Sequence, residues 1–121
     1  MKVAVSTQSN DLDALVDPRF GRAAWFIVVD SETLDWTAID NRGNAGGSGG
    51  AGVQAGTLLV DQGVQAVITG NVGPNAHKVL AAAGVAVYRA GNGVSARQAL
   101  AGLSGDALAK VDSPTVAGHW S

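Results

Sequence analysis

The 121-residue chain contains no cysteine, and this limits the chemistry that it can perform. Without thiols it forms no disulfide framework and offers no thiolate ligand to zinc or to an iron–sulfur cluster. Charged residues make up only 15% of the chain and hydrophobic residues 46%, a balance that excludes a disordered protein. The length predicts a single domain with a substantial core.

Positive charge is also scarce, because 8 Lys and Arg residues face 10 Asp and Glu residues, for a net charge of −2. No basic run is present, so we expect no nucleic-acid partner. No apolar stretch approaches the ~20 residues that cross a bilayer. The N-terminus begins directly as a strand, with no visible signal peptide. We therefore expect a cytoplasmic protein with no membrane partner.

Hydrophobic patterning predicts five strands, over residues 2–6, 24–30, 34–40, 65–69 and 85–88. Helices are predicted near 51–62, after Pro74 and after a capping box that begins at Ser95. The first three strands form an antiparallel meander, and the later strand–helix–strand unit requires a parallel pair. We expect an α/β fold, a mixed five-stranded sheet flanked by helices and similar to the ribonuclease-H-like topology. Residues 1–111 would form this domain and residues 112–121 a flexible tail.

A glycine-rich segment, residues 41–52, leads into the first predicted helix. Part of it fits the G-x-G-x-x-G pattern of dinucleotide sites, but the acidic residue expected about 20 positions later is missing. Two other interpretations remain open. The segment is a flexible loop, or its bare amides meet another anion at the helix N-terminus, through Gly47, Gly49 and Gly50.

A second candidate is the turn between the fourth strand and the next helix, at the end of the sheet where α/β proteins usually bind ligands. It consists of Gly70, Asn71, Val72 and Gly73, and an ordinary strand–helix connection is the alternative. His77 lies one turn into that helix, either as a surface residue or beside the cleft.

A third candidate precedes the second strand, where two arginines bracket a Phe-Gly pair. Their guanidinium groups can face an anion while the ring supplies an apolar wall, or they pair with nearby aspartates. The residues are Arg19, Phe20, Gly21 and Arg22. Catalysis is not expected, because the first and fourth strands lack the acids that a ribonuclease-H-like nuclease uses to hold cations.

These segments together resemble the dinitrogenase iron–molybdenum cofactor biosynthesis family over about residues 1–103. The resemblance rests on Asp-Pro-Arg-Phe-Gly-Arg-Ala at 17–23, the glycine-rich segment, Val-Ile-Thr-Gly-Asn-Val-Gly-Pro-Asn-Ala at 67–76, and shorter matches at 2–5 and 83–87. It implies a ribonuclease-H-like fold without nuclease activity, in small carriers or scaffolds of iron–sulfur and molybdenum–iron–sulfur clusters. The branch of orange proteins, which hold a molybdenum–copper sulfide cluster non-covalently, is the most similar in length and lack of cysteine.

One residue departs from the family pattern, since cofactor carriers commonly have a histidine before Phe-Gly and this chain has Arg19. An arginine suits an anionic, sulfide-saturated cluster. We therefore expect a non-enzymatic carrier of a metal–sulfur cluster containing molybdenum, with cluster assembly or recipient proteins as further partners. The alternative is a regulatory or assembly module that binds proteins and no cluster. The expected binding residues are Arg19, Phe20, Gly21, Arg22, Gly47, Gly49, Gly50, Gly70, Asn71, Val72, Gly73 and His77.

Overall fold

The structure, a computed structural model, describes residues 1–46 and 50–116. The strands of this part of the chain are β1 (Lys2–Thr7), β2 (Trp25–Asp30), β3 (Trp36–Asp40), β4 (Ala66–Thr69), β5 (Ala86–Arg89) and β6 (Ala109–Val111). Its helices are α1 (Arg42–Ala45), α2 (Ala51–Asp61), α3 (Pro74–Ala82) and α4 (Ala96–Ser104).

The strands form one mixed sheet in the order β3-β2-β1-β4-β5-β6. β1, β4 and β5 are parallel to one another, while β2, β3 and β6 pair with their neighbours in antiparallel fashion. The predicted mixed α/β sheet is confirmed, but the predicted count of five strands is wrong. The sixth strand escaped the sequence pattern because β6 has three residues, of which only Val111 is partly buried.

Apolar side chains pack on both faces of the sheet, because alternate residues of a strand point to opposite sides. On one face, Ala4 and Val67 join Leu59 of α2 and Leu80 of α3 in the larger core cluster. On the other face, a second cluster packs under α4; it contains Val3, Val5, Ala66, Ile68, Ala96 and Ala99. The continuous apolar runs of β1 and β4 therefore belong to central strands covered on both sides.

The parallel arrangement fixes where a ligand site can form. The carboxyl ends of β1, β4 and β5 point to the same end of the sheet, and the segments that follow them meet there. No helix within the described residues is long and apolar enough to cross a membrane.

The chain can be followed past the predicted boundary at residue 112. Residues 112–116 continue from β6, and the Thr115 N–H donates to the carbonyl oxygen of Val72 at 2.9 Å. Residues 117–121 of the predicted tail lie outside the described residues, and the division of the chain at residue 112 stays a prediction.

Candidate functional site

The arginine loop, residues 17–22, lies directly against the β4–α3 turn, residues 70–73. The Phe20 N–H donates to the carbonyl oxygen of Asn71 at 3.1 Å, and Arg19 and Asn71 form a short parallel bridge. A Cβ added to Gly70 would lie only 2.5 Å from the Cα of Pro18. The structure thus brings two of the three predicted segments together, and their contact depends on glycine at position 70.

A buried aspartate sets the position of the arginine loop. Asp17 is only 5% exposed, and its Oδ1 accepts from the Arg19 N–H at 2.9 Å and lies 3.7 Å from the Arg19 Nε. Burial raises the pKa of the Asp17 carboxyl, while the Arg19 N–H and guanidinium oppose that rise. The Arg19 side chain itself is 49% exposed, so its charge is presented at the surface beside the turn.

The hydroxyl of Ser6, at the carboxyl end of β1, ties the base of the loop to β4. It donates to the carbonyl oxygen of Asp17 at 3.0 Å and lies 2.7 Å from the Thr69 Oγ1. All three residues are buried. The loop is therefore fixed to the ends of the two central strands.

The arginine loop also reaches the start of the glycine-rich segment. The Arg22 Nη1 donates to the carbonyl oxygen of Ala45 at 3.0 Å. Ala45 closes α1, a short helix in a region where the sequence predicted only loop. Contacts of the arginine loop with Asn71 and with Ala45 thus link all three predicted segments through the parts that are described.

Buried Asn41 is a structural residue of the site that the sequence analysis missed. Its Nδ2 donates to the carbonyl oxygens of Gly21 and Ala23 at 3.3 and 2.8 Å, and its own N–H donates to Ala24. The side chain is enclosed although asparagine is usually exposed. Its partners lie about 20 residues away, so only the folded chain reveals this role.

Phe20 and Val72 are fully buried members of the core, with exposures of 0% and 1%. The Phe20 ring packs against Phe26 at a centroid distance of 5.2 Å. The sequence predicted an apolar wall of the site here. In the structure these side chains hold the loop and the turn in place from below, and the expectation of direct ligand contact stays a prediction.

The two helix starts near the site have glycine at the position before the helix. Gly50 precedes α2 with φ of +70°, where a side chain would be strained, and Gly73 precedes α3. Neither helix start has a side-chain cap. The predicted contacts of Gly47 and Gly49 lie outside the described residues and stay predictions.

His77 faces a different part of the molecule from the arginine loop. It lines a cavity of about 260 Å³ between α3 and the β5–β6 edge, together with Lys110, Val111 and Asp112. None of the arginine-loop residues lines that cavity. The His77 N–H donates to the carbonyl oxygen of Gly73 at 3.0 Å, so His77 is joined to the β4–α3 turn through its backbone, but it shares this cavity with no residue of the arginine loop.

Arg89 is a cation of the site that the sequence analysis missed. Its Nε donates to the carbonyl oxygen of Gly70 and its Nη2 to the Asn71 Oδ1, both at 3.0 Å. Arg89 ends β5, the neighbour of β4, so its place at the carboxyl end of a parallel strand was the available signal. Asn71 therefore contacts Arg19 through the backbone and Arg89 through its side chain.

The donor groups at this edge suit an anion better than a bare metal ion. No group of three or more His, Asp or Glu side chains with metal-binding geometry occurs among the residues that the structure describes. What the edge offers is the guanidinium groups of Arg19 and Arg89, which bind anions by charge and hydrogen bonding. These features define a small mixed α/β domain with a cationic edge at the carboxyl ends of its parallel strands.

Comparison with known proteins places the chain in a family. It belongs to the dinitrogenase iron–molybdenum cofactor family, whose model matches residues 1–105. It is also 33% identical over 93 residues to an uncharacterized protein of Methanocaldococcus jannaschii, covering 74% of this chain and 75% of the relative.

Two solved structures share its fold. The apo form of the orange protein from Desulfovibrio gigas superposes with a TM-score of 0.91 at 38% identity, over 95% of this chain and 96% of that one. The NMR structure of a Thermotoga protein described as of NifB type and of the DUF35 family superposes with a TM-score of 0.84 at 34% identity, over 95% and 97%.

Proposed function

We propose that this protein is a non-enzymatic carrier of an anionic metal–sulfur cluster, bound non-covalently where the arginine loop meets the β4–α3 turn. The observation that carries the proposal is that two arginines meet at Asn71, Arg19 through a backbone bridge and Arg89 through a side-chain hydrogen bond. The whole chain is net negative, so an anion needs such a local concentration of positive charge.

The donor set fits a cluster whose outer atoms are sulfides. Such a cluster needs no thiolate from the protein, and this chain has no cysteine to give. It needs hydrogen-bond donors and positive charge, which guanidinium groups supply together. The similarity to the orange protein supports a mixed molybdenum–copper sulfide as the cargo.

Other parts of the proposal follow from the same family. The strand order β3-β2-β1-β4-β5 supports a ribonuclease-H-like topology used for binding and not for hydrolysis. A carrier of this kind acts in the cytoplasm and exchanges its cargo with assembly or recipient proteins, without nucleic acid or membrane as a partner.

The proposal is tested by anaerobic reconstitution with tetrathiomolybdate and a copper salt. After desalting, we expect a visible absorption band and molybdenum, copper and sulfide in near-stoichiometric amounts to protein. Affinity should fall as salt rises, because screening weakens the attraction between exposed charges.

A double variant tests the cationic edge itself. Arg19→Gln with Arg89→Gln removes two charge-assisted hydrogen-bond donors, each contributing roughly 1.5–3 kcal/mol, so binding should weaken by about two to four powers of ten. Arg97→Gln is the matched control, because Arg97 is a similarly exposed arginine that pairs with Asp13 and lines a different cavity.

Two results would count against the proposal. The first is a desalted wild-type protein that keeps neither colour nor metal. The second is a double variant that binds as tightly as Arg97→Gln across the salt series. The first result would favour the regulatory or assembly module that binds protein partners without a cluster. The second would show that the cluster does not bind at this cationic edge.

A further inference from the structure

The chain after β6 turns back across the β4–α3 turn and is hydrogen-bonded to it at one residue. The Val72 N–H donates to the Thr115 Oγ1 at 2.9 Å, and the Thr115 N–H donates to the carbonyl oxygen of Val72 at 2.9 Å. The Thr115 hydroxyl also lies 3.3 Å from that carbonyl oxygen, as a donor to it. We call residues 112–116 the C-terminal strap.

The strap accepts a hydrogen bond from the Val72 N–H group, at the centre of the proposed binding edge. Val72 follows Asn71, which contacts both Arg19 and Arg89, and the Val72 side chain is buried in the core. Its N–H therefore points from a fixed position toward whatever acceptor lies above the turn. In this structure that acceptor is the hydroxyl oxygen of Thr115.

A neutral hydroxyl and an anionic sulfide are rival acceptors for the same N–H group. A hydrogen bond to a charged partner is stronger than one between neutral groups. The hydroxyl thus satisfies the donor in the empty protein without matching the strength of a bound anion. The Thr115 hydroxyl can therefore accept from the Val72 N–H in the empty protein and be displaced when an anion binds.

Among the described residues, the strap has few attachments apart from Thr115. Residues 112–114 are exposed, and β6, which precedes them, is a three-residue strand at the edge of the sheet. Segments with few buried apolar contacts and exposed hydrogen bonds detach at low free-energy cost. The strap can therefore leave the turn while the six-stranded sheet stays folded.

We propose that Thr115 is a built-in competitor of the cluster, so that docking of the C-terminal strap on Val72 and binding of an anion at the β4–α3 turn exclude each other. The inference rests on the proposed function, since it assigns a regulator to the same edge. It predicts that the empty carrier is closed over Val72 and that loading opens the strap.

The decisive variant is Thr115→Val, which keeps the β-branched shape and removes the competing oxygen. The closed state then loses its hydrogen bond to the Val72 N–H, so affinity for tetrathiomolybdate should rise about five- to ten-fold. Thr115→Ser keeps the hydroxyl and should bind as wild type does.

Thr33→Val is the matched control. The Thr33 Oγ1 accepts from the Asp35 N–H at 3.2 Å in the β2–β3 hairpin, at the opposite end of the sheet. This substitution should leave affinity for tetrathiomolybdate unchanged.

Amide hydrogen exchange on the empty protein gives a second readout. The Val72 amide should exchange faster in Thr115→Val than in wild type. Adding tetrathiomolybdate to wild type should protect Val72 and release the Thr115 amide.

The outcomes separate the two proposals. If wild type binds tetrathiomolybdate and Thr115→Val binds equally or more weakly, the competition is overturned and the carrier function stands. If neither protein binds, the proposed function fails and the competition fails with it. Tighter binding by Thr115→Val, with unchanged binding by Thr33→Val, supports both.

Discussion

The close approach of Gly70 to Pro18 gives the most direct test of how the arginine loop is held against the β4–α3 turn. In Gly70→Ala, the new Cβ would lie 2.5 Å from the Cα, 3.0 Å from the carbonyl oxygen and 3.1 Å from the carbonyl carbon of Pro18. Non-bonded carbon atoms are normally about 3.5–4.0 Å apart, so the arginine loop has to move by about 1 Å or more. All three obstructing atoms belong to the backbone and cannot rotate away.

The cost of Gly70→Ala follows from that displacement. Overpacking a well-packed contact costs about 1–3 kcal/mol. Moving the loop also weakens the hydrogen bond from the Phe20 N–H to Asn71, which contributes about 1 kcal/mol more. We therefore expect the free energy of unfolding to fall by about 2–4 kcal/mol, with the loss concentrated where the loop meets the turn.

The assay is denaturant unfolding, with Gly91→Ala as the matched control. A Cβ at Gly91 meets nothing within 4 Å, and its backbone is outside the left-handed region, so that variant should stay within about 0.5 kcal/mol of wild type. A lower midpoint with an unchanged slope for Gly70→Ala would confirm a loss of stability. Equal stability of the two variants would refute the close packing of the loop on the turn.

Three further predictions concern other parts of the site. Asn41→Ala leaves two buried carbonyl oxygens without their donor and should lower the free energy of unfolding by about 2–4 kcal/mol, measured in urea. His77→Ala should change tetrathiomolybdate affinity by less than about two-fold, because His77 lines another cavity. Burial raises the pKa of the Asp17 carboxyl above its usual value of 3.8, so protonation of Asp17 stabilises the folded protein. This stabilisation is fully present below pH 3.8 and is lost as the pH rises through the raised pKa. The free energy of unfolding of wild type should accordingly decrease, relative to that of Asp17→Asn, as the pH rises just above 3.8.

The elements that the sequence predicted well have local signals. Pro74 begins α3, as expected of a residue whose missing N–H is not needed there. The capping box at Ser95 is present, since its Oγ accepts from the Gln98 N–H at 3.1 Å and the Gln98 Oε1 accepts in return at 3.0 Å. Signals of this kind depend only on neighbours within one turn, so they can be read without the fold.

The elements that the sequence missed depend on tertiary partners. β6 is defined by its pairing with β5, where Tyr88 faces Lys110, and its own residues are almost all exposed. α1 lies within a glycine-rich segment, whose composition disfavours a helix. Short elements at an edge or in a connection carry too few residues to show a period.

The candidate site also combines features that local sequence patterns predict with features that only the fold reveals. The arginine loop and the β4–α3 turn were each identified from local sequence patterns, and only the family resemblance grouped them into one site. The roles of Asn41, Arg89 and Thr115 are visible only in the fold, since each contacts a residue at least 18 positions away. The sequence also does not reveal whether an aromatic residue beside two arginines covers a ligand or fills the core. Burial decides this, and Phe20 is in the core.

Charge pairing explains why this edge, among the places where arginines occur, is suited to an anion. Arg42 is held by both oxygens of Asp40, which lowers the pKa of that carboxyl to about 2, and Arg97 pairs with Asp13. Each of those positive charges is offset by a carboxylate at about 3 Å. Arg89, in contrast, donates to two neutral oxygens and forms no ion pair with any carboxylate among the described residues. Arg89, together with the half-exposed Arg19, whose Nε lies 3.7 Å from the Asp17 Oδ1, gives this edge the local positive charge that a net-negative protein needs in order to attract an anion.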